Sequence, residues 1–388
     1  MLGRTWPVYG EDEVDAVVRV LRSGKVNYWT GAECREFERE FAAHCSVREA
    51  IAVANGTVAL ELALEAMGIG PGDEVITTPR TFIASASAAV RLGARVRFAD
   101  VDPDSQNITA ETIKQALSPR TKAIVAVHLV GWPCDMDPIM ELAAEHGFFV
   151  VEDCAQAHGA VYKGRPVGGI GHAGAFSFCQ DKIISTGGEG GMITTNDASL
   201  WAKIWSLKDH GKDFETTRMP SDGTTFRWLH GSFGSNQRMT EMQAAIGRIQ
   251  LRKLPAWNEQ RRRNARVLAE SLGGIAGFRI PMPGPLVEHA YYKFYAFVEQ
   301  EANHRLPSRD ELVKRLRAAG VACGSGSCSE IYLEKAFDKG EMRPPVRLAV
   351  ARRLGESGVM FPVDPTFDER QMRNIGRVVQ QVMASRAA

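Results

Sequence analysis

No stretch of this 388-residue chain approaches 18 consecutive apolar residues, the least that a membrane-crossing helix needs. A membrane span is therefore not expected. Charge of one sign is also lacking, because 47 Lys and Arg stand against 46 Asp and Glu for a formal net charge of +1. That balance argues against a nucleic acid or other polyanion as partner. Cysteine is sparse: Cys34, Cys45, Cys134, Cys154, Cys179, Cys323 and Cys328 are odd in number, widely scattered and free of any CxxC pair. The pattern argues against a disulfide framework and against a zinc or other metal site, and it fits reduced thiols in the cytoplasm. Internal repeats and low-complexity tracts are absent. The opening MLGRTWPVYGEDEVDAVV has early charge and no apolar segment, so it reads as neither a secretory signal nor a transit peptide.

What is present is the composition of an ordinary globular protein, 44% hydrophobic and 24% charged, with a length that suggests two domains. From about residue 50 to 200, short apolar runs alternate with helical stretches. Strands are expected at 50–54, 74–78, 95–98, 123–128, 147–151, 174–178 and 191–195, with a helix over 58–67. Near-continuous apolar strands spaced by helices imply a mostly parallel sheet covered on both faces, an α/β architecture. Thr240 and Gln243 have capping-box spacing, and Met242, Ala245, Ile246 and Ile249 recur at helical intervals. Pro255 reads as an interruption, so a large domain is expected over 1–255 and a smaller α+β domain over 256–388. Arg261, Arg262, Arg263 and Arg266 read as a solvated helix face.

Three segments carry chemistry together. The apolar run 147–151 leads into Glu152 and Asp153, and ligands of open α/β sheets bind beyond the carboxyl ends of strands. A carboxylate there stabilises a protonated ring nitrogen; Gln156 and His158 follow on the same loop. Ser177-Phe-Cys-Gln-Asp-Lys182 runs from a strand into the glycine-rich stretch that ends at Gly191. Lysine amines form Schiff bases with carbonyl compounds. Ala54-Asn55-Gly56-Thr57 turns a strand tightly into a helix whose free N–H groups seat an anion. A phosphate seat, a ring-nitrogen carboxylate and a reactive lysine match the requirements of pyridoxal phosphate, with Phe82 placed to stack on its ring. Gly169-Ile-Gly171-His-Ala-Gly174 also fits the dinucleotide fingerprint, but it follows a polar turn and leads into a strand, the wrong context. A nicotinamide oxidoreductase has no other support.

These residues resemble the DegT/DnrJ/EryC1/StrS group of pyridoxal-phosphate enzymes, mostly nucleotide-sugar aminotransferases. The resemblance covers nearly the whole chain. It is carried by Gly31 to Phe41, Asn55-Gly56-Thr57, Glu152 to Gly159, Ser177 to Gly191, His210-Gly211 and Gly234 to Ala245. It implies the fold-type-I, aspartate-aminotransferase-like architecture with a smaller C-terminal α+β domain. It further implies that Lys182 binds the cofactor aldehyde, Asp153 pairs with the pyridine nitrogen and Gln156 lies near the ring hydroxyl. Gly56, Thr57 and Ser177 would hold the phosphate, and Asn236 would reach in from a partner, giving a homodimer with shared sites.

The implied reaction moves an amino group from L-glutamate to a keto sugar, most naturally a nucleotide-linked keto-deoxysugar in polysaccharide or antibiotic sugar synthesis. A keto-cyclitol acceptor stays open. A sugar dehydratase is disfavoured because Lys182 is retained where deoxygenating branches carry histidine, and a cofactor-binding regulator is disfavoured by the intact site. Three positions depart from the family pattern: Ser235 for the usual tyrosine, Tyr292 for a frequent histidine, and the 325–332 segment for a His-Tyr-Pro-type loop. The last two leave the exact substrate undetermined. Lys25, Arg80, Lys212, Arg227 and Lys293 are the cations considered for an acceptor diphosphate.

Overall fold

A computed structural model describes residues 5–220, 227–299, 307–338, 340 and 342–384. Helices α1 (Glu11–Ser23) and α2 (Glu33–His44) precede an alternating stretch: β1 (Glu49–Val53), α3 (Gly56–Ala66), β2 (Glu74–Thr77), α4 (Ala84–Arg91), β3 (Arg95–Phe98), α5 (Ala110–Ala116), β4 (Thr121–Val127), α6 (Met136–His146) and β5 (Phe149–Asp153). There follow β6 (Val161–Tyr162), β7 (Arg165–Pro166), β8 (Ala173–Ser177), β9 (Gly191–Thr195), α7 (Ala198–Lys208), α8 (Phe214–Arg218) and α9 (Glu241–Leu272). The remainder forms β10 (Phe278–Arg279), β11 (Val287–Glu288), β12 (Phe294–Val298), α10 (Arg309–Ala318), α11 (Ala349–Ser357), β13 (Gly358–Phe361) and α12 (Glu369–Ala384).

The main sheet has seven strands in the order β1-β9-β8-β5-β4-β2-β3. Its β8-β5-β4-β2-β3 portion is parallel throughout, while β9 runs antiparallel to both of its neighbours. Strands such as Val150–Val151 and Ile124–Val127 are apolar without alternation because helices cover both faces of the sheet. The parallel strands end on one side, so the turns after β2, β4, β5 and β8 converge there. A three-stranded antiparallel sheet, β10-β12-β13, packs with α10, α12 and the second half of α9 around a separate apolar core.

Two expectations are corrected. Pro255 does not interrupt a helix; it lies inside the single 32-residue α9, whose start is fixed by the Thr240–Gln243 capping box. The residue-255 boundary thus falls within one helix that packs on both parts of the chain. Nor is the arginine run wholly solvated. Arg261 is buried, its guanidinium 4.8 Å from the Trp6 ring centre and donating to the Tyr291 and Tyr292 carbonyls. A side chain with a long apolar stem and five donors can be buried where carbonyls and a ring meet it.

Candidate functional site

Asp153 closes β5 with a carboxylate that is only 5% exposed. Its Oδ2 accepts from Ser85 Oγ at 2.7 Å and its Oδ1 from the Ala155 N–H at 3.1 Å. Both donors are neutral. Burial therefore pushes the Asp153 carboxyl up, against the opposing Ser85 and Ala155 hydrogen bonds and the charge of Lys182. Such a group is stabilised by a cation at its open side.

Asp153 is fixed from behind. The His128 N–H donates to its backbone carbonyl. The neighbouring Glu152 is fully buried and accepts from the Gly168, Ile170 and Gly171 N–H groups and from His128 Nε2 at 3.0 Å. Burial would raise the Glu152 carboxyl, but His128 and these amides hold it below its ordinary value. Because the Cys134 N–H donates to His128 Nδ1, the ring proton sits on Nε2. His128, Glu152 and Cys154 lie close enough to suggest a metal trio, yet the carboxylate and imidazole are consumed by these bonds. Of the apparent dinucleotide motif, Gly171 thus serves in a turn whose N–H groups, with those of Gly168 and Ile170, cap Glu152.

The seat next to Asp153 is built by α3 and β8. Asn55 caps α3 through its side chain, taking the Val58 N–H at 3.0 Å. That leaves the Gly56 and Thr57 N–H groups without an acceptor among the described residues, at the positive end of the helix. A Cβ on Gly56 would stand 2.6 Å from Ser177 Cβ, so only glycine lets the helix start approach β8 this closely. In the parallel β5–β8 pair Asp153 faces Ala175, which puts Ser177 two residues farther along on the same side.

Lys182 follows on the turn after β8, its carbonyl held by Trp6 Nε1 at 2.7 Å. Its amine lines a cavity of about 530 Å³ together with Phe82, Gln156, Asp181, Tyr292 and Lys293. Phe82 lines the cavity and is 66% exposed although it is aromatic, so much of its ring is free to meet a ligand. Gln156 Oε1 accepts the Val130 N–H at 2.8 Å, which leaves the amide NH2 to donate. Val130 itself has φ 52°, a rare conformation for a β-branched residue, and its carbonyl accepts the Tyr292 N–H.

The structure thus gathers Lys182, Gln156 and Phe82 in one cavity, with Asp153 near enough to Lys182 for their charges to act on each other. Gly56 and Thr57 lie at the start of α3, where Gly56 packs against Ser177. Asn236 is not part of this cavity; it is exposed, in a bridge with Asp209. Of the five cations considered for a diphosphate, Lys293 alone lines the cavity. Arg80 is buried with Gln106, Lys212 pairs with Asp209, Arg227 bonds the Thr216 and Met219 carbonyls, and Lys25 stands exposed elsewhere.

Sequence reasoning passed over Ser85, Thr81 and Asp181. Ser85 is one of several small residues in an ordinary helix, and no spacing marks it. Asp181 carried a signal, a carboxylate adjoining the singled-out lysine.

These residues fit pyridoxal phosphate. The buried carboxylate suits a pyridinium nitrogen, the unpaired N–H groups suit a phosphate, and the charge of Lys182 acts on Asp153.

A family model described as the DegT/DnrJ/EryC1/StrS aminotransferase family matches residues 7–380. The crystal structure of an aminotransferase from Psychrobacter cryohalolentis superposes with a TM-score of 0.95 at 51% identity, covering 98% of this chain and 99% of that one. The Streptomyces venezuelae dTDP-3-amino-3,4,6-trideoxy-alpha-D-glucose transaminase is 35% identical across 94% of this chain and 90% of its own length. The L-glutamine:2-deoxy-scyllo-inosose aminotransferase of Streptomyces kanamyceticus is 37% identical across 99% and 95%.

Proposed function

Because the chain belongs to the DegT/DnrJ/EryC1/StrS aminotransferase family and is a pyridoxal-phosphate-dependent sugar aminotransferase, we propose that its Lys182 cavity takes the amino group of L-glutamate and delivers it to a nucleotide-linked keto-deoxysugar. The observation that carries this reading is the buried Asp153 carboxylate, met only by neutral donors, with the charge of Lys182 near enough to act on it.

When bound, pyridoxal phosphate supplies an aldehyde that links to amines and a ring that withdraws electrons from the carbon being deprotonated. The residues of this chain do the rest. Lys182 would hold the cofactor through its amine, and that amine would be the positioned base that moves a proton from the donor Cα to the C4′ carbon of the cofactor. Asp153 keeps the ring nitrogen protonated through opposite charge in a site of low polarity. The Gly56 and Thr57 N–H groups and the Ser177 hydroxyl hold the phosphate. Gln156 would offer its free amide NH2 to the ring hydroxyl, and Phe82, which lines the same cavity, would cover the ring from water.

A second copy of the chain completes the site in this reading, with Asn236 of the partner subunit reaching the phosphate. Support comes from its exposure and from that of the neighbouring Phe233, 98% open to solvent. The part of the chain that follows α9 acts as the smaller domain that meets the acceptor, since its Tyr295 and Met360 line the Lys182 cavity. All seven cysteines are free, which fits work in the cytoplasm. A keto-cyclitol is the second acceptor class, favoured by the 37% identity to the 2-deoxy-scyllo-inosose enzyme over nearly the full chain.

The reading is tested by supplying 15N-labelled L-glutamate with a panel of nucleotide-linked keto sugars and keto-cyclitols. Label recovered in an amino sugar nucleotide supports it. Formation of 2-oxoglutarate with no label in any sugar product would overturn the acceptor assignment.

A further inference from the structure

The cavity beside Lys182 holds a second amine with no counterpart. Among its lining residues Lys182 and Lys293 carry amines, and Asp181 and Glu334 carry carboxylates. Asp181 is committed elsewhere: one oxygen accepts the Tyr292 hydroxyl at 2.5 Å and the other stands 3.5 Å from Lys182 Nζ. Glu334 lies exposed at the rim. Among the described residues Lys293 has neither an ion pair nor a side-chain hydrogen bond, and its contact is the Tyr292 ring, 5.0 Å from Nζ to the centroid. Burial pushes the Lys293 amine down, while the charges of Asp364 and Asp181 oppose this in part. A partly desolvated ammonium facing a cavity is stabilised when an anion enters beside it.

Tyr292 brings the two amines to one ring. Lys182 Nζ stands 5.2 Å from the same ring centroid, so the two nitrogens are separated by no more than those two radii together. The ring itself is held at both ends, by its hydroxyl on Asp181 and by its N–H on the Val130 carbonyl. A substrate whose Cα meets Lys182 and which carries a carboxylate two methylenes farther on brings an anion into the cavity that Lys293 also lines, where the two can pair. A lone, flexible ammonium suits a single carboxylate. A diphosphate calls for several cations, and the other four considered lie outside this cavity.

We propose that Lys293 receives the side-chain carboxylate of a dicarboxylic amino donor and is the residue by which this chain selects glutamate over neutral amino acids. The inference rests on the reading of Lys182 as the reactive amine. Tyr292 acts with it as a positioning residue, since both amines lie against its ring. A neutral donor leaves the Lys293 ammonium unpaired in the cavity, and that lost pairing is the basis of selection.

Lys293→Gln, Lys293→Arg and the parent, each loaded with cofactor, are compared in single-turnover reactions with L-glutamate and with its neutral isostere L-glutamine. Binding of glutarate, a dicarboxylate without an amine, is measured alongside by calorimetry. The parent is expected to prefer glutamate. Lys293→Gln is expected to lose about tenfold or more of that preference and of glutarate affinity, the scale of one charge-assisted hydrogen bond. Lys293→Arg is expected to retain most of both. An unchanged glutamate-to-glutamine ratio, or an unchanged glutarate affinity, in Lys293→Gln overturns the proposal. Borohydride labelling of Lys182 in the same samples separates the two ideas: no label in the parent removes the reading beneath, whereas label with unaltered selectivity removes only the role of Lys293.

Discussion

Ser85 Oγ donates to Asp153 Oδ2 at 2.7 Å, and Thr81 Oγ1 stands 2.8 Å behind it. Because Ser85 spends its proton on the carboxylate, Thr81 must be the donor to Ser85, and the three form a one-way relay from the turn after β2 to the end of β5. Ser85→Ala breaks it at the carboxylate. The Asp153 carboxyl, already raised by burial and held back chiefly by this bond, then rises further. The glutamate half-reaction should slow about tenfold, as expected for a hydrogen bond to a charged group. Its acid limb should move to higher pH. A stopped-flow pH profile of parent and variant checks both, and an unmoved acid limb would mean that Ser85 does not act on Asp153.

Gly56→Ala probes the anion seat. The new Cβ meets Ser177 Cβ at 2.6 Å and its Cα at 3.1 Å, and backbone cannot give way as a flexible side chain does. Overpacking of this kind costs about 1–3 kcal/mol, here concentrated where the phosphate docks. Cofactor affinity should fall by about tenfold or more while the circular-dichroism spectrum stays unchanged. Equal cofactor affinity in titrations of the two proteins would place the phosphate elsewhere.

Acid should unfold the protein through its buried histidines. Burial, with the nearby Lys182 charge adding to it, pushes His158 down to about 3, and burial alone does the same to His289. Unfolded histidine takes a proton below about pH 6.5, so between there and about 3 the unfolded chain binds more protons than the folded one. Stability is therefore full above pH 6.5 and declines as pH falls, by up to about 1.4 kcal/mol per pH unit for each histidine. Denaturant midpoints at pH 7, 6 and 5 should fall in turn, and His289→Gln should flatten the slope. A midpoint independent of pH in the variant and the parent alike contradicts the account.

Shared sites make a complementation experiment decisive. Lys182→Ala and Asn236→Ala are each expected to be inactive or nearly so. Mixed after reversible dissociation, half of the dimers pair one variant with the other, and each such dimer regains one intact site. Activity should return to roughly a quarter of the parent level, the arithmetic of a two-fold interface. Mixtures no more active than their components would show that Asn236 serves its own chain or no site at all.

The sequence made the chemistry legible where the residue types are scarce in function: a strand-end acid, a lysine before a glycine-rich run, and a glycine at a helix start. The sheet was legible for a similar reason, since strands covered on both faces must be apolar without alternation, and all seven expected runs are strands of the main sheet. What stayed hidden depends on three-dimensional context. Pro255 reads as a break, yet α9 continues through it, because packing on both faces outweighs the hydrogen bond that proline removes. Arg261 reads as one of a solvated run but turns inward to two carbonyls and Trp6. Ser85 and Thr81 have no local signature, because their partner lies 68 residues from Ser85 along the chain.

The central claim is that the Lys182 amine carries the cofactor, and peptide mapping after borohydride reduction tests it most directly. Protein loaded with pyridoxal phosphate, reduced and digested should yield one modified peptide, bearing the phosphopyridoxyl group on Lys182. Prior addition of L-glutamate should remove that label by releasing the amine, and Lys182→Ala should show no specific label. A stable label on Lys293 or another lysine in the parent, with Lys182 unmodified, would contradict the account at its base.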